Sequence, residues 1–337
     1  MLMPEKLIRP NILALKPYSS ARDEFNGKTG IYLDANENPF GNLNRYPDPY
    51  QNALKDKLSS IKNIDLENIF VGNGSDEAID LAFRIFCNPA EDKVIVCPPT
   101  YGMYEVSANI NEIEIISIPL DDNFQLNVKD ILDTDAKMIF LCSPNNPTGN
   151  SLDNLETIIQ KFNGIVFVDE AYIDFSKQES LLRKVNEYPN LIVSQTLSKA
   201  WGKAAIRVGI AYASKEIISY YNKVKPPYNV SQLNQYEAIK TLEETDVFTK
   251  NKQSILSQRT RLIEHLSEMN FVEKIYPTDA NFILVKTKNA NAIYQKLIDE
   301  KIIVRNRHSV IENCLRITVG EPFENIKLLE SLKKIKL

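Results

Sequence analysis

The segments MIFLCSPNNPTG (residues 138–149) and IVFVDEAY (residues 165–172) each begin with four consecutive apolar residues and continue into polar ones. An unbroken apolar run is typical of a strand buried on both faces, whereas a strand exposed on one face alternates. Amphipathic stretches of helical length separate these runs from others like them. The pattern predicts an α/β fold with a mostly parallel central sheet. The other apolar runs are residues 69–71, 94–97, 191–193 and 208–212.

The pattern changes after about Pro226, where helical and polar sequence precedes a mixture of short strands and helices. This change predicts a second, smaller α+β domain. We assign residues 35–240 to the large α/β domain, and residues 1–34 and 241–337 to a discontinuous small domain. The elements predicted after Pro226 are helices at residues 232–265, 290–301 and 324–336 and strands at residues 281–285, 302–304 and 314–319.

Composition narrows the class of protein. The formal net charge of −4 argues against nucleic acid or an anionic membrane as the main partner. No run approaches the roughly 18 apolar residues of a membrane helix, and the N-terminus lacks the apolar stretch of a signal peptide. The four cysteines are scattered without CxxC spacing, and there are only two histidines. We therefore expect a cytoplasmic protein without a metal site.

Polar side chains of particular types follow the predicted strands, where α/β proteins bind their ligands. Asp169 directly ends an apolar run, and a buried carboxylate at such a place needs a cationic partner. A protonated pyridine nitrogen would serve, as would an ordinary salt bridge or a helix cap.

The segment GNGSDE (residues 72–77) follows the first predicted strand and opens a predicted helix. Small residues allow a tight turn, and the free N–H groups at a helix start bind anions. An ordinary capped turn is the alternative. The segment is not GxGxxG, which disfavours a nucleotide-binding oxidoreductase.

Lys199 lies in the segment TLSKAWG (residues 196–202), with Arg207 eight residues further on. A lysine at a buried strand end is costly unless it is paired or neutral, and a Schiff base removes that cost while creating an electrophile. Most single lysines simply lie in solvent. The order of all these motifs, each after a strand, carries more weight than any one of them.

The ordered motifs resemble the fold-type I pyridoxal-phosphate aminotransferases over nearly the whole chain. This resemblance implies a three-layer large domain, a smaller α+β domain, pyridoxal 5'-phosphate as cofactor and a homodimer. The motifs are GSDE (residues 74–77), PTYGMY (99–104), SPNNPTG (143–149), DEAY (169–172), Ser198-Lys199 with Arg207, and LRI (315–317).

The resemblance also implies a role for each matching residue. Lys199 forms the Schiff base and moves the substrate proton, and Asp169 pairs with the pyridine nitrogen. Tyr172 and Asn146 bind the 3'-oxygen of the ring, and Tyr101 stacks on it. The residues expected around the cofactor phosphate are Gly74, Ser75, Asp76, Thr196, Ser198 and Arg207.

Within this family the chain is most similar to the histidinol-phosphate aminotransferases. That similarity implies transfer of the amino group of L-histidinol phosphate to 2-oxoglutarate, giving imidazole-acetol phosphate and glutamate, in histidine biosynthesis. Arg316 with Arg305 would bind the anionic group of the substrate, and Tyr46 would reach across a dimer. Tyr18 and Asn36 are further expected substrate-binding residues. The segments concerned are KPY (16–18), AR (21–22), DANENP (34–39), RYPDP (45–49) and CLRITVG (314–320).

Rivals of the same fold are an aromatic or broad-range aminotransferase and a threonine-phosphate decarboxylase. A catalytically silent binding protein is disfavoured by the presence of Lys199, Asp169 and Arg207. The chain departs from the family pattern at Ala205, which replaces the usual glycine, and at Lys203, which adds a charge. We expect these changes to affect the backbone packing near the phosphate.

Overall fold

The computed structural model describes residues 4–18 and 30–335. Within these ranges the chain forms a seven-stranded sheet and a four-stranded sheet, with helices packed on both. The strands are β1 (Ile69–Asn73), β2 (Lys93–Val96), β3 (Glu114–Ser117), β4 (Met138–Cys142), β5 (Ile165–Asp169), β6 (Leu191–Thr196), β7 (Val208–Ala213), β8 (Val272–Ile275), β9 (Phe282–Thr287), β10 (Arg305–Asn306) and β11 (Cys314–Thr318).

The helices lie between these strands, before the first of them and after the last. Short 3-10 turns at Pro4–Leu7, Leu66–Asn68, Ile173–Phe175, Leu181–Lys184 and Ala204–Ile206 supplement them. The α-helices are α1 (Pro10–Ala14), α2 (Asn52–Lys62), α3 (Ser75–Phe86), α4 (Met103–Ile110), α5 (Val128–Asp133), α6 (Leu155–Lys161), α7 (Lys215–Val224), α8 (Gln232–Glu243), α9 (Thr245–Ser267), α10 (Ala290–Asp299) and α11 (Pro322–Lys333).

The large sheet has the strand order β1-β7-β6-β5-β4-β2-β3. Only β7 opposes its neighbours, since it is antiparallel to both β1 and β6 while the other pairs are parallel. Residues 197–207 between β6 and β7 are too few for a helical crossover, so the chain turns straight back. Lys199 and Arg207 both lie in this turn and are therefore placed at the carboxyl end of β6.

Each strand of the large sheet contributes to two cores. In β4, Ile139 and Leu141 join the cluster on one face, and Met138 and Phe140 join the cluster on the other. All four side chains are almost completely inaccessible to solvent. Helices cover both faces, which confirms the predicted three-layer α/β domain with a mostly parallel sheet.

The small sheet is antiparallel in the order β10-β11-β9-β8. Its core contains Leu262 and Leu266 of α9, Leu297 of α10 and Leu332 of α11. The helices predicted at residues 290–301 and 324–336 are present, with ends that differ by a few residues. The segment predicted as helical at residues 232–265 forms two helices, α8 and α9, which are separated at Glu244. Even α9, the longest of the described helices, is polar, and within the described ranges none is apolar enough to cross a membrane.

The predicted strand at residues 302–304 is wrong. These residues are irregular, Ile303 is 81% exposed, and the strand forms instead at Arg305–Asn306, where it pairs with β11. The edge strands β3 and β8 were not predicted. Neither is fully buried at any position, so neither has the unbroken apolar run that identified the central strands.

The N-terminal segment packs on the helices of the large sheet. Leu7, Ile8 and Ile12 join the cluster on one face of that sheet, and the Arg9 amide donates to the Ile85 carbonyl at 3.0 Å. These contacts favour placing residues 4–18 with the large unit, whereas residues 1–34 were predicted to join the small domain. The domain boundaries stay a prediction, and the AR segment (residues 21–22) lies outside the described residues.

Candidate active site

The carboxyl ends of several strands of the large sheet surround a cavity of about 530 Å³, which β10 and β11 of the small sheet border on the other side. Strand ends converge there because parallel strands finish at the same edge of a sheet. Twelve of the predicted site residues line it: Ser75, Asp76, Tyr101, Asn146, Asp169, Tyr172, Thr196, Ser198, Lys199, Arg207, Arg305 and Arg316.

Asp169 is buried at the end of β5 and is held by hydrogen bonds from neutral donors. Its Oδ2 accepts from the Tyr104 hydroxyl at 2.8 Å, and its Oδ1 accepts from the Ala171 amide and the Ser194 hydroxyl, both at 3.1 Å. Burial raises the pKa of Asp169 above its usual range. Among the described residues no lysine or arginine nitrogen lies within ion-pairing distance of this carboxylate. The site therefore fits a protonated ring nitrogen of a ligand.

Lys199 borders the same cavity, with its Nζ 5.5 Å from the centre of the Tyr172 ring. Burial lowers the pKa of Lys199, and the nearby Arg316 lowers it further. Both effects favour the neutral amine, which is the form that acts as a nucleophile or base. Lys199 also borders a larger cavity of about 760 Å³, but Asp169 and Arg316 do not line that one.

The start of α3 and the end of the β6–β7 turn come together beside Lys199. Gly74 precedes α3 with φ +82°, and a Cβ at this position would lie 2.5 Å from Arg207 Nη2. Asp76 Oδ2 pairs with the same nitrogen at 3.4 Å. On the other side, Thr196 Oγ1 donates to Ser198 Oγ at 2.9 Å. Helix N–H groups, hydroxyls and a guanidinium thus face one space, which fits a phosphate.

Asn145, for which no role was predicted, joins the proline-containing loop after β4 to the one after β2. Its amide nitrogen donates to the Pro99 carbonyl and to Thr148 Oγ1, and its oxygen accepts from Thr100 Oγ1, each at 2.8 Å. The neighbouring Asn146 accepts a hydrogen bond from Arg316 Nη1 through its side-chain oxygen. Asn145 therefore positions the loop that carries Asn146.

Three arginines of the small sheet line the cavity opposite Asp169. Arg305 lies directly across from Arg316 in the β10–β11 pair, and the guanidinium of Arg316 lies 5.1 Å from the centre of the Phe282 ring. Arg307 is the third, and it was not predicted. Burial lowers the pKa of both Arg307 and Arg316. This side of the cavity is suited to an anionic group.

Three predicted substrate-binding residues do not line this cavity. Tyr18 is 72% exposed, and Asn36 and Tyr46 border a separate cavity of about 570 Å³. The Tyr46 ring stacks on Tyr228 with 4.4 Å between ring centres. The roles of Tyr18, Asn36 and Tyr46 stay predictions.

Three further residues support the site without lining the cavity, and none of them was predicted from the sequence. Tyr104 lies within a motif that was recognised, but its ring is completely buried and resembles a core residue. Ser194 is directly opposite Asp169 in the β5–β6 register. Gly209 of β7 has no side chain, and a Cβ there would lie 2.1 Å from the Ser75 amide nitrogen. Glycine at this position therefore allows β7 to approach the start of α3.

Lys203 and Ala205, where the chain departs from the family pattern, lie at or near the surface of the β6–β7 turn. Lys203 Nζ pairs with Glu237 Oε1 of α8 at 2.5 Å. Ala205 lies in an exposed 3-10 turn, where a methyl group meets solvent. The turn that contains Ala205 ends at Arg207, whose Nη1 donates to the Ala204 carbonyl at 3.3 Å, so this turn does adjoin a residue that faces the phosphate space.

Comparison with known proteins agrees with this geometry. Residues 28–332 match the family described as aminotransferase class I and II. A histidinol-phosphate aminotransferase of Parabacteroides distasonis is 52% identical, and the alignment covers 98% of each chain.

Solved structures of similar proteins share the fold. The histidinol-phosphate aminotransferase of Clostridium acetobutylicum superposes with a TM-score of 0.80 at 25% identity, over 87% of this chain and 91% of that one. That of Sinorhizobium meliloti, solved in complex with pyridoxal-5'-phosphate, gives a TM-score of 0.77 at 21% identity, over 87% and 84%. The chain belongs to the aminotransferase class I and II family.

Proposed function

We propose that this chain transfers the amino group of L-histidinol phosphate to 2-oxoglutarate, in histidine biosynthesis. The observation that carries the proposal is a single cavity with Lys199 and Asp169 on one side and, on the other, arginines that have no acidic partner among the described residues. The first side suits an aminotransferase that uses pyridoxal 5'-phosphate. The second suits an amine that carries a phosphate group, and the identity of 52% to a histidinol-phosphate aminotransferase supports the same substrate.

When bound, pyridoxal 5'-phosphate supplies an electrophilic carbonyl carbon and a ring that accepts electrons. Asp169 would hold the ring nitrogen in its protonated form, because a buried carboxylate without a cation gains most from such a partner. The start of α3, Ser198 and Arg207 would bind the phosphate. Tyr101, Tyr172 and Asn146 border the space between and would orient the ring.

Lys199 would serve as the base of the reaction. Its Nζ takes the proton from the amine-bearing carbon of the substrate and returns it on the cofactor side of the cavity. The lowered pKa of Lys199 supports this role, because only the neutral amine accepts a proton. The ring of Tyr172 lies beside Nζ, with its centre 5.5 Å away.

The arginines would bind a phosphate ester in one half-reaction and a carboxylate in the other. A planar guanidinium donates two parallel hydrogen bonds and accepts either anion. Arg316 is already oriented by its hydrogen bond to Asn146 and by the Phe282 ring. It would therefore hold the substrate in a constant place relative to Lys199.

We further propose that the enzyme is a cytoplasmic homodimer. Several large apolar side chains of residues 31–43 are exposed, among them Ile31 at 91%, Leu33 at 86% and Phe40 at 81%. An apolar surface of this kind is typical of a protein interface. Tyr46 follows the same segment and borders a different cavity from Lys199 of its own chain, which supports a role in the cavity of a partner.

Absorbance of the cofactor-loaded enzyme tests the substrate. L-histidinol phosphate added without a keto acid should convert the bound pyridoxal form to the pyridoxamine form. Conversion by phenylalanine instead would indicate the aromatic rival, and release of carbon dioxide from threonine phosphate would indicate the decarboxylase. A purified protein that binds no pyridoxal phosphate would contradict the proposal.

Mixed dimers test the shared site. Co-expression of Lys199→Ala and Tyr46→Ala chains should restore activity that neither variant has alone, because one site of each mixed dimer then has both residues intact. If Tyr46 acts within its own chain, every site of the mixed dimer carries one substitution. Absence of recovery in purified mixed dimers would therefore contradict the crossing of Tyr46.

A further inference from the structure

The arginine cluster consists of Arg305, Arg307 and Arg316. Substrate binding was predicted for Arg305 and Arg316, and Arg307 is one guanidinium more. Arg305 and Arg316 are opposite each other in the β10–β11 pair. The Arg307 amide donates to the Cys314 carbonyl at 2.9 Å, so the pairing of the two strands continues past β10. Residues two apart on an extended chain point to the same face. Arg307 accordingly lines the same cavity as the other two.

No acidic side chain neutralises this cluster in the part of the chain that the structure describes. Asp76, at the cavity wall, pairs with Arg207, and Asp169 accepts its hydrogen bonds from neutral groups. The Nε atoms of Arg307 and Arg316 are both buried without a hydrogen-bond partner. Unpaired buried donors and like charges in one place destabilise the ligand-free protein. Three guanidinium charges that line one cavity favour a ligand with more than one negative charge.

Charge and oxygen count distinguish the two kinds of anion that the site would meet. Glutamate has two carboxylates, but a single carboxylate group placed against the arginines has one charge and two oxygens, which two guanidinium groups already satisfy. A phosphate monoester has three terminal oxygens and a charge of about −1.5 to −2 at pH 7. A third guanidinium therefore adds more to the binding of a phosphate ester than to that of a carboxylate.

We propose that Arg307 is a specificity-determining residue that makes this site select amines with a phosphate monoester over amines with a carboxylate. The proposal rests on the proposed function, since it refines how the same cavity chooses its substrate. Arg305 and Arg316 bind either anion, and Arg307 binds the additional oxygen and charge of the phosphate.

Arg307→Gln tests the selection when the two half-reactions are measured separately. The value of kcat/KM for L-histidinol phosphate should fall about 10- to 100-fold, mainly through KM, which is the usual range for one hydrogen bond to a charged group. The value for glutamate should change less than about 3-fold, within the effect of a distant neutral substitution. Arg307→Lys should recover part of the loss, because it keeps the charge but not the planar fork.

Two further measurements do not depend on turnover of the phosphorylated substrate. Unphosphorylated L-histidinol should react equally with the wild type and with Arg307→Gln. Inorganic phosphate should compete with glutamate, and Arg307→Gln should weaken that inhibition about 10-fold or more. Arg261→Gln, at an exposed position of α9, is the matched control and should leave all values unchanged.

The outcomes separate this inference from the proposed function. A wild-type enzyme that does not react with L-histidinol phosphate would contradict the proposed function. A different outcome would contradict only the role of Arg307. In that case the wild type reacts with L-histidinol phosphate, but Arg307→Gln lowers kcat/KM equally for both donors or for neither. Unfolding measurements on each variant distinguish a loss of selectivity from a loss of folded protein.

Discussion

Asp169 is the residue whose surroundings most clearly require a ligand. Every hydrogen bond that it accepts from the described residues comes from a neutral donor, namely Tyr104, Ser194 or the Ala171 amide. Asp169→Asn keeps the shape but removes the charge that would hold a ring nitrogen protonated. We expect kcat to fall by about 10²-fold or more, as for other preorganised electrostatic contacts in active sites.

The cofactor should stay bound to Asp169→Asn, since the residues proposed to bind its phosphate are untouched. Single-turnover rates and the absorbance of bound cofactor measure the two effects separately. Tyr104→Phe is a milder comparison, because it removes one donor and leaves the carboxylate. A fully active Asp169→Asn variant would exclude the electrostatic role given to this residue.

Lys199 is the one lysine among the described residues that line the cavity, and we propose that it moves the substrate proton. Lys199→Ala should reduce the half-reaction by at least about 10²- to 10⁴-fold, the usual contribution of a general base. Stopped-flow absorbance with L-histidinol phosphate measures the rate. A variant that reacts at the wild-type rate would show that another group takes the proton.

At the scale of elements, the approach of β7 to α3 forms the space that we propose binds the cofactor phosphate. Gly209 allows this approach, because a Cβ there would lie 2.1 Å from the Ser75 amide nitrogen and 2.3 Å from the Gly74 carbonyl carbon. Gly209→Ala should lower the free energy of unfolding by about 1–3 kcal/mol through overpacking. It should also raise the dissociation constant of pyridoxal phosphate, because the start of α3 must move.

Urea unfolding and cofactor titration of Gly209→Ala test the two effects. Gly102→Ala is a suitable comparison, since nothing lies within 4 Å of a Cβ there, and its unfolding should change by less than about 0.5 kcal/mol. Loss of stability with unchanged cofactor affinity would mean that the contact of β7 with α3 supports the fold but not phosphate binding.

At the scale of the whole molecule, buried carboxyl groups make stability depend on pH. Glu170 accepts hydrogen bonds from Ser180, the Leu181 amide and Gln195, yet burial raises the pKa of Glu170 to about 7. The folded chain therefore holds a proton that the unfolded chain releases near its ordinary pKa. Stability from this group is complete at low pH and is lost as pH rises through about 7.

We expect the free energy of unfolding of the cofactor-free protein to fall between pH 5 and pH 8. Each unit of pKa difference corresponds to about 1.4 kcal/mol, and the pKa of Glu170 rises from 4.5 to about 7, so Glu170 contributes at most about 3–4 kcal/mol. Asp169 acts in the same direction, because burial raises its pKa too. Urea unfolding across this range measures the slope, which should be smaller in Glu170→Gln. Stability that rises with pH would contradict the assignment.

The central strands and the chemistry at their ends were predictable from local sequence. Unbroken apolar runs marked β4, β5 and β6, and the polar residues that follow them, such as Asp169 and Lys199, now line one cavity. The edge strands β3 and β8 were not predicted, because partly exposed strands lack an unbroken apolar run.

Only the tertiary structure decided the partners of these residues. The β5–β6 register places Ser194 next to Asp169, and Gly209 allows the contact of β7 with α3. Arg307 and Arg316 line the same cavity because β10 pairs with β11 in the small sheet. Each contact joins residues far apart in the chain or on different strands. A local pattern determines which residues follow a buried strand, whereas register and packing determine what they meet, because both depend on the whole fold at once.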